Sequence, residues 1–342
     1  MNEVLAREAR WYEKLEGNKV RCHLCAHRCL INEGKLGICQ VRKNEAGTLM
    51  TLVYGRTISQ NVDPIEKKPL FHVMPGSLSY SIATPGCNFR CLFCQNADIS
   101  QMPRERHLIM GREATPAQIV DAARRSRCRS IAYTYTEPVV FAEYMYDISK
   151  KAKGAGIYNV MISNGYIQEE PMRALAGVLT AVKVDLKAIT EKFYREVVAG
   201  ELKPVLDTLV LLRKWEMWTE IVYLVIPTLN DKEKEFKELA RWIKTNLGED
   251  VPIHFTRFHP QYKLQNLPPT PQRTLERARD IALAEGIKFV YIGNVPGHPA
   301  ENTYCPRCGQ ILIERRGFMI LKNRLINGQC PACNTDIPGI WS

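Results

Sequence analysis

The chain has 342 residues, 45% of them hydrophobic, with 12 cysteines and a formal net charge of +11. That length exceeds an average domain but suits one α/β barrel, typically about 250 residues, with appendages. Residues 1–17 are charged and carry no apolar signal core, and no later apolar run is long enough to span a bilayer. The expectation is therefore a cytoplasmic protein with no membrane partner, whose cysteines serve metals or catalysis rather than disulfides. The positive charge invites a nucleic-acid partner, but metal-bound thiolates reduce it. A four-thiolate zinc site carries about −2 and a three-thiolate oxidised cluster about −1. Lys232, Lys234 and Lys237 share one expected helix and read as a solvated face.

From the N-terminus, Cys22, Cys25, Cys29 and Cys39 form a C-x2-C-x3-C-x9-C group with Gly34 and Gly37 before the last cysteine. Four ligands in so short a stretch suit a structural zinc tetrahedron or an accessory iron–sulfur cluster, with His23 and His27 as substitute ligands. The spacing leaves both metals open. Residues 49–54 read as a strand, whereas prolines make 63–72 an irregular stretch in which His72 is a packed or solvated loop residue.

Residues 78–84 alternate as a strand does, and Pro85-Gly86 breaks it. Cys87, Cys91 and Cys94 then fall on a loop at a strand's end, the functional edge of a parallel sheet. Their C-x3-C-x2-C spacing has no fourth cysteine nearby. A 4Fe–4S cluster normally takes four thiolates, so three leave one iron open to an exogenous molecule. Zinc would favour four closed ligands in two separated pairs.

Beyond the cysteine loop, strand-like and helix-like segments alternate, the mark of repeated βα units and a parallel sheet. Thr115-Pro116-Ala117-Gln118 offers a helical capping box. Strands are expected over 130–134, 158–163, 181–186, 221–226, 253–258 and 288–292, with helices around 236–247 and 275–284. Phe141, Met145, Ile148 and Ala152 share the face of another helix. Thr136-Glu137-Pro138, Ser163-Asn164-Gly165, Asp185-Leu186-Lys187 and Phe258-His259-Pro260 all follow expected strands and would converge on one barrel mouth. Cys128 reads as a buried small hydrophobe.

Near the C-terminus, Cys305-Pro306-Arg307-Cys308 and Cys330-Pro331-Ala332-Cys333 are two C-x2-C knuckles around a hairpin-length insert. Paired knuckles predict a structural zinc ribbon.

The three-cysteine motif, with Phe93 between Cys91 and Cys94, resembles the radical S-adenosylmethionine (SAM) signature. Glu137, Asn164, Asp185, Lys187 and His259 are similar to the SAM-binding set of pyruvate formate-lyase activating enzyme and its relatives. The resemblance implies that Glu137 meets the SAM ammonium, Asp185 and Lys187 the carboxylate and ribose, Asn164 the same carboxylate, and His259 the ribose. Phe93 would pack along the adenine. The sequence departs from that pattern at Tyr135-Thr136, where the family has two glycines. Over nearly the whole chain, Asp63-Pro64-Ile65-Glu66-Lys67-Lys68-Pro69, Cys91 to Asn96, Ala132-Tyr133-Thr134-Tyr135 and Tyr291-Ile292-Gly293-Asn294 resemble the AmmeMemoRadiSam system radical SAM proteins.

The expected architecture is α/β, a partial (β/α) barrel of the radical SAM type. It divides into a Cys-rich segment over 1–46, a connecting strand and loop over 47–77, the barrel over 78–300 and a zinc ribbon over 301–342. The implied chemistry is reductive cleavage of SAM at a 4Fe–4S cluster to a 5'-deoxyadenosyl radical, which abstracts hydrogen from a small-molecule or protein substrate. A one-electron donor such as a ferredoxin or flavodoxin is implied as partner. The rival readings are a radical SAM enzyme that modifies RNA and a non-catalytic zinc protein that binds nucleic acid.

Overall fold

The computed structural model describes residues 6–341. Its centre is an eight-stranded sheet of β1 Ser59–Pro64, β2 Leu78–Ala83, β3 Ser130–Tyr133, β4 Tyr158–Ser163, β5 Ala181–Asp185, β6 Trp218–Val225, β7 Ile253–Arg257 and β8 Val290–Gly293. The strands lie side by side in chain order. β1 runs antiparallel to β2, and every later neighbour is parallel. The two outer strands do not pair with each other, so the sheet is an open arc, a partial barrel.

Most residues of β3 to β7 are buried without alternation, as expected of parallel strands covered on both faces. The outer cover is α1 Pro116–Arg125, α2 Ala142–Gly154, α3 Glu169–Ala176, α4 Leu202–Lys214, α5 Glu233–Asn246 and α6 Gln272–Ala284, one in each crossover. Thr115 begins α1 with the expected reciprocal cap: its hydroxyl accepts from Gln118 N, and the Gln118 side chain accepts from Thr115 N. Phe141, Met145, Ile148 and Ala152 are buried against the sheet.

Two helices were not anticipated. α3 and α4 each carry a proline, Pro171 and Pro204, in the first turn, where the missing N–H has no intrahelical partner to lose. The buried Leu202, Val205, Leu209 and Leu212 of α4 follow helical spacing. β1 was also missed. It is a largely exposed edge strand with no apolar alternation, and Pro64 ends it where an edge tolerates the loss of a donor. The strand expected over 49–54 is Thr48–Thr51, paired with Arg42–Glu45.

His72 is fully buried, with its ring nitrogens 2.7 Å from Pro338 O and from the Tyr291 hydroxyl. Burial pushes it down to about 4, so it is a neutral packing residue that joins the chain's C-terminal end to β8. Strands Thr303–Tyr304, Ile311–Arg316 and Met319–Asn323 form a small antiparallel sheet. It packs on the barrel through Phe71, Tyr291, Leu312, Ile313 and Ile337. Arg315 fastens it by donating to Phe71 O and the Thr303 hydroxyl, each at 2.8 Å. Among the described residues, no helix is long and apolar enough to cross a membrane.

Candidate active site

The site lies where β2 to β7 end. After β2 the backbone turns at Gly86, whose φ is +105° and where an added Cβ would stand 2.7 Å from Val41 Cγ1. Both the conformation and the close approach demand glycine. The following loop is held by backbone bonds from Arg90 N to Val198 O (2.9 Å) and from Leu92 N to Val197 O (3.0 Å). Asn88 is buried inside it, donating to Tyr166 O at 3.0 Å and accepting from Asn164 Nδ2 at 2.8 Å. A rigid loop fixes the directions of its three cysteines.

Cys87, Cys91 and Cys94 line one cavity of about 490 Å³, together with Phe93, Glu137, Asn164, Asp185 and Lys187. That volume is typical of a small-molecule site. Phe89 N points at Cys87 Sγ (3.3 Å), and Cys94 Sγ lies 3.3 Å from the Ser100 hydroxyl. Burial pushes the Cys91 thiol up to about 12 and raises Cys87 well above its ordinary value. Bound cationic metal is what would keep such buried thiols ionised at neutral pH. Three cysteines lining one cavity with room beyond fit a cluster that leaves one iron without a protein ligand.

Glu137 caps the short helix Pro138–Phe141, accepting from Val139 N at 3.0 Å. It also accepts from the Ser163 hydroxyl (2.7 Å) and from Asn164 N (2.8 Å). Burial lifts its carboxyl to about 7, against the pull of those donors. An ammonium entering the cavity would restore the charge. Asp185 behaves oppositely: burial alone would raise it, but Lys183 and Lys187 hold it at about 2. Lys187 Nζ is 3.1 Å from Asp185 Oδ2, and Lys183 bonds Oδ1.

Tyr135 has φ +65°, the left-handed conformation a glycine adopts without strain. Its hydroxyl bonds Asp63, whose carboxylate also takes Lys67 Nζ at 2.7 Å and Lys68 Nζ at 2.6 Å. Asn96 Nδ2 donates to Tyr135 O at 2.7 Å, tying this turn to the cysteine loop. The backbone thus takes a glycine-like conformation without glycine, supported by an ion network from β1 and the turn after it.

His259 is the expected contact that the structure does not bring in. β7 ends at Arg257, Phe258 turns into the core, and His259 is exposed outside the cavity. The loop beyond it instead packs over the cysteine loop, through Lys263 N to Leu92 O at 3.0 Å. Thr256 and Asn294 line the cavity from this end of the sheet. Lys183, Tyr135, Lys68 and Phe318 also line it and were not anticipated. Lys183 was legible, since residues two apart on a strand share a face and Asp185 was already assigned. Phe318 arrives from the C-terminal sheet, and no local pattern announces it.

The C-terminal knuckles bring Cys305, Cys308, Cys330 and Cys333 together, with all four sulfurs within 4.8 Å of one another. Cys22, Cys25, Cys29 and Cys39 line a separate, mainly apolar cavity. His23 Nε2 lies 3.4 Å from Glu13, and His27, which also lines that cavity, has Nε2 2.8 Å from Asn88 O. Cys128 is buried, as expected.

Three cysteines lining a cavity at the mouth of an open parallel barrel are the arrangement of an α/β enzyme class, and the comparisons with known proteins name it. The model of the Radical SAM superfamily matches residues 81–243. An uncharacterised protein of Methanocaldococcus jannaschii is 48% identical over 333 residues, 97% of this chain and 98% of that one. The pyruvate formate-lyase 1-activating enzyme of Escherichia coli is 22% identical over 223 residues, covering 60% of this chain and 89% of that one. A radical SAM methyltransferase structure from Sphaerobacter thermophilus superposes with a TM-score of 0.52 at 15% identity, over 84% of this chain and 77% of that one. The chain belongs to the radical SAM superfamily. It is an enzyme of SAM radical chemistry, which requires a 4Fe–4S cluster, SAM, an electron donor and a substrate.

Proposed function

We propose that Cys87, Cys91 and Cys94 ligate the 4Fe–4S cluster and that SAM occupies the cavity they line, for hydrogen abstraction of the kind carried out by glycyl-radical activases. The observation that carries this reading is the convergence of three cysteine thiols, the Glu137 carboxylate and the Asp185–Lys187 pair on one cavity of about 490 Å³. When bound and reduced, the cluster would supply one electron to the SAM sulfonium, whose C5'–S bond would break to give methionine and a 5'-deoxyadenosyl radical.

The chain's own residues bind and orient. Glu137 accepts the SAM ammonium, where a charge-assisted bond in a buried site is strong. Lys187 and Asn164 meet the carboxylate, and Asp185, already ionised by its two lysines, accepts from the ribose hydroxyls. Phe93, 5% exposed, offers its ring to the adenine. The SAM sulfonium would then sit over the cysteine loop, away from water. Cys305, Cys308, Cys330 and Cys333 hold structural zinc, a closed site that does no chemistry. The electron donor is of the ferredoxin or flavodoxin type, and the substrate is a small molecule or a protein.

The test is anaerobic turnover with deuterated candidate substrates and SAM, followed by mass analysis of 5'-deoxyadenosine. Deuterium in that product identifies the molecule that loses hydrogen. A substrate converted by the enzyme with no label transferred to 5'-deoxyadenosine would rule out abstraction from that position.

A further inference from the structure

The ribbon provides an internal ruler for four-cysteine sites in this molecule. A zinc–sulfur bond of about 2.3 Å puts tetrahedral sulfurs about 3.8 Å apart. Cys305 and Cys333 sulfurs are 3.5 Å apart, Cys308 and Cys330 sulfurs 3.7 Å, and all four fall within 4.8 Å. Cys22, Cys25, Cys29 and Cys39 are equal in number and kind, yet they do not gather in this way. They line a cavity of about 20 Å³. All four are free thiols, so no disulfide accounts for them.

We propose that Cys22, Cys25, Cys29 and Cys39 hold a second iron–sulfur cluster. The four sulfurs are spread more widely than one tetrahedral ion requires, and an all-sulfur donor set suits iron–sulfur ligation, with His23 Nε2 facing Glu13 and His27 Nε2 facing Asn88 O. The wall is apolar, built from Leu24, Ile31, Ile38, Val139 and Val140.

Polar residues interrupt that wall at His27, Arg42 and Asn88. Arg42 is 1% exposed and spends Nη2 on Glu143 at 2.5 Å, while its Nε and Nη1 are buried with no partner. Arg42 is among the residues that line the cavity. Buried N–H groups are rarely left unpaired, and a cluster brings inorganic sulfides that accept hydrogen bonds. A single zinc ion brings no additional acceptor.

The position gives the site a role. His27 Nε2 lies 2.8 Å from Asn88 O, and a Cβ on Gly86 would stand 3.4 Å from Cys39 O. Asn88 and Gly86 belong to the loop of Cys87, Cys91 and Cys94, so the second cluster is a one-electron centre packed directly behind that loop. Only this placement beside a catalytic centre rests on the function proposed above; the metal assignment does not.

The test is metal and acid-labile sulfide analysis of the anaerobically reconstituted full chain, with Mössbauer spectroscopy on ⁵⁷Fe. The wild type should hold about eight iron and one zinc per chain, and the Cys87→Ala, Cys91→Ala, Cys94→Ala triple variant should retain about four iron with matching sulfide. Cys22→Ser with Cys29→Ser should lose that iron while the spectral response to SAM persists. A triple variant with zinc or no metal in place of iron overturns the proposal. If that variant does not fold, the wild-type ratio decides, since about four iron to two zinc equally overturns it. A triple variant that keeps its cluster beside a wild type that never responds to SAM would refute the catalytic reading and leave this one standing.

Discussion

Replacing Glu137 by Gln changes charge at nearly constant shape, in a pocket where every partner of the carboxylate is known. The two oxygens accept from Val139 N, the Ser163 hydroxyl and Asn164 N, at 3.0, 2.7 and 2.8 Å. A glutamine amide must turn its NH2 toward one of those donors, so a buried donor loses its acceptor, at about 1–3 kcal/mol of stability. The proposed bond to the SAM ammonium loses its charge as well, about 1.5–3 kcal/mol, which is about 10- to 150-fold in Kd. Because burial lifts Glu137 to about 7, its carboxyl is only partly ionised at neutral pH until a cation arrives or the pH rises. Ammonium binding favours the deprotonated carboxyl, so wild-type SAM affinity should fall as pH drops through about 7, by up to about tenfold per unit, while the Gln variant stays flat. Calorimetry on the reconstituted protein measures both, with iron content as the control. Equal affinities in wild type and variant across that range would refute the assignment.

Three further substitutions test the surrounding network. Lys183→Met leaves the partly buried Asp185 with one lysine and should cost about 1–3 kcal/mol, read by thermal or denaturant unfolding. Tyr135→Phe removes the hydroxyl bond to Asp63 and should cost about 1 kcal/mol, because Tyr135 is only half-buried; SAM binding should weaken with unchanged iron content. Cys308→Ser should release the zinc proposed for the ribbon, measured by metal analysis, and loosen the packing of Leu312 and Ile313, while the iron proposed for the barrel stays.

The barrel was legible because its strands are short apolar runs bounded by turns, and its cysteine loop because three thiols at fixed spacing have few other uses. Residues at strand ends, Glu137, Asn164, Asp185 and Lys187, could be placed at the mouth from chain order alone, since parallel connections put every such end on one edge. His259 failed the same logic because a strand's end does not say whether the next residues turn inward. Phe258 took the buried position and left His259 in solvent. Lys67, Lys68 and Tyr135 were out of reach for a different reason. Their meeting at Asp63 depends on an antiparallel edge strand with no apolar periodicity, and it joins residues 72 positions apart. Phe318 enters from a separate sheet whose docking is set by Phe71, Tyr291 and Arg315.

The central claim is that this cavity cleaves SAM at a cluster held by Cys87, Cys91 and Cys94. Anaerobically reconstituted protein should be incubated with SAM and a strong one-electron reductant, and 5'-deoxyadenosine and methionine quantified by mass spectrometry. The account predicts both products in equal amounts from the wild type and neither from Cys87→Ala, Cys91→Ala or Cys94→Ala. Undiminished cleavage in any one of those variants would contradict it.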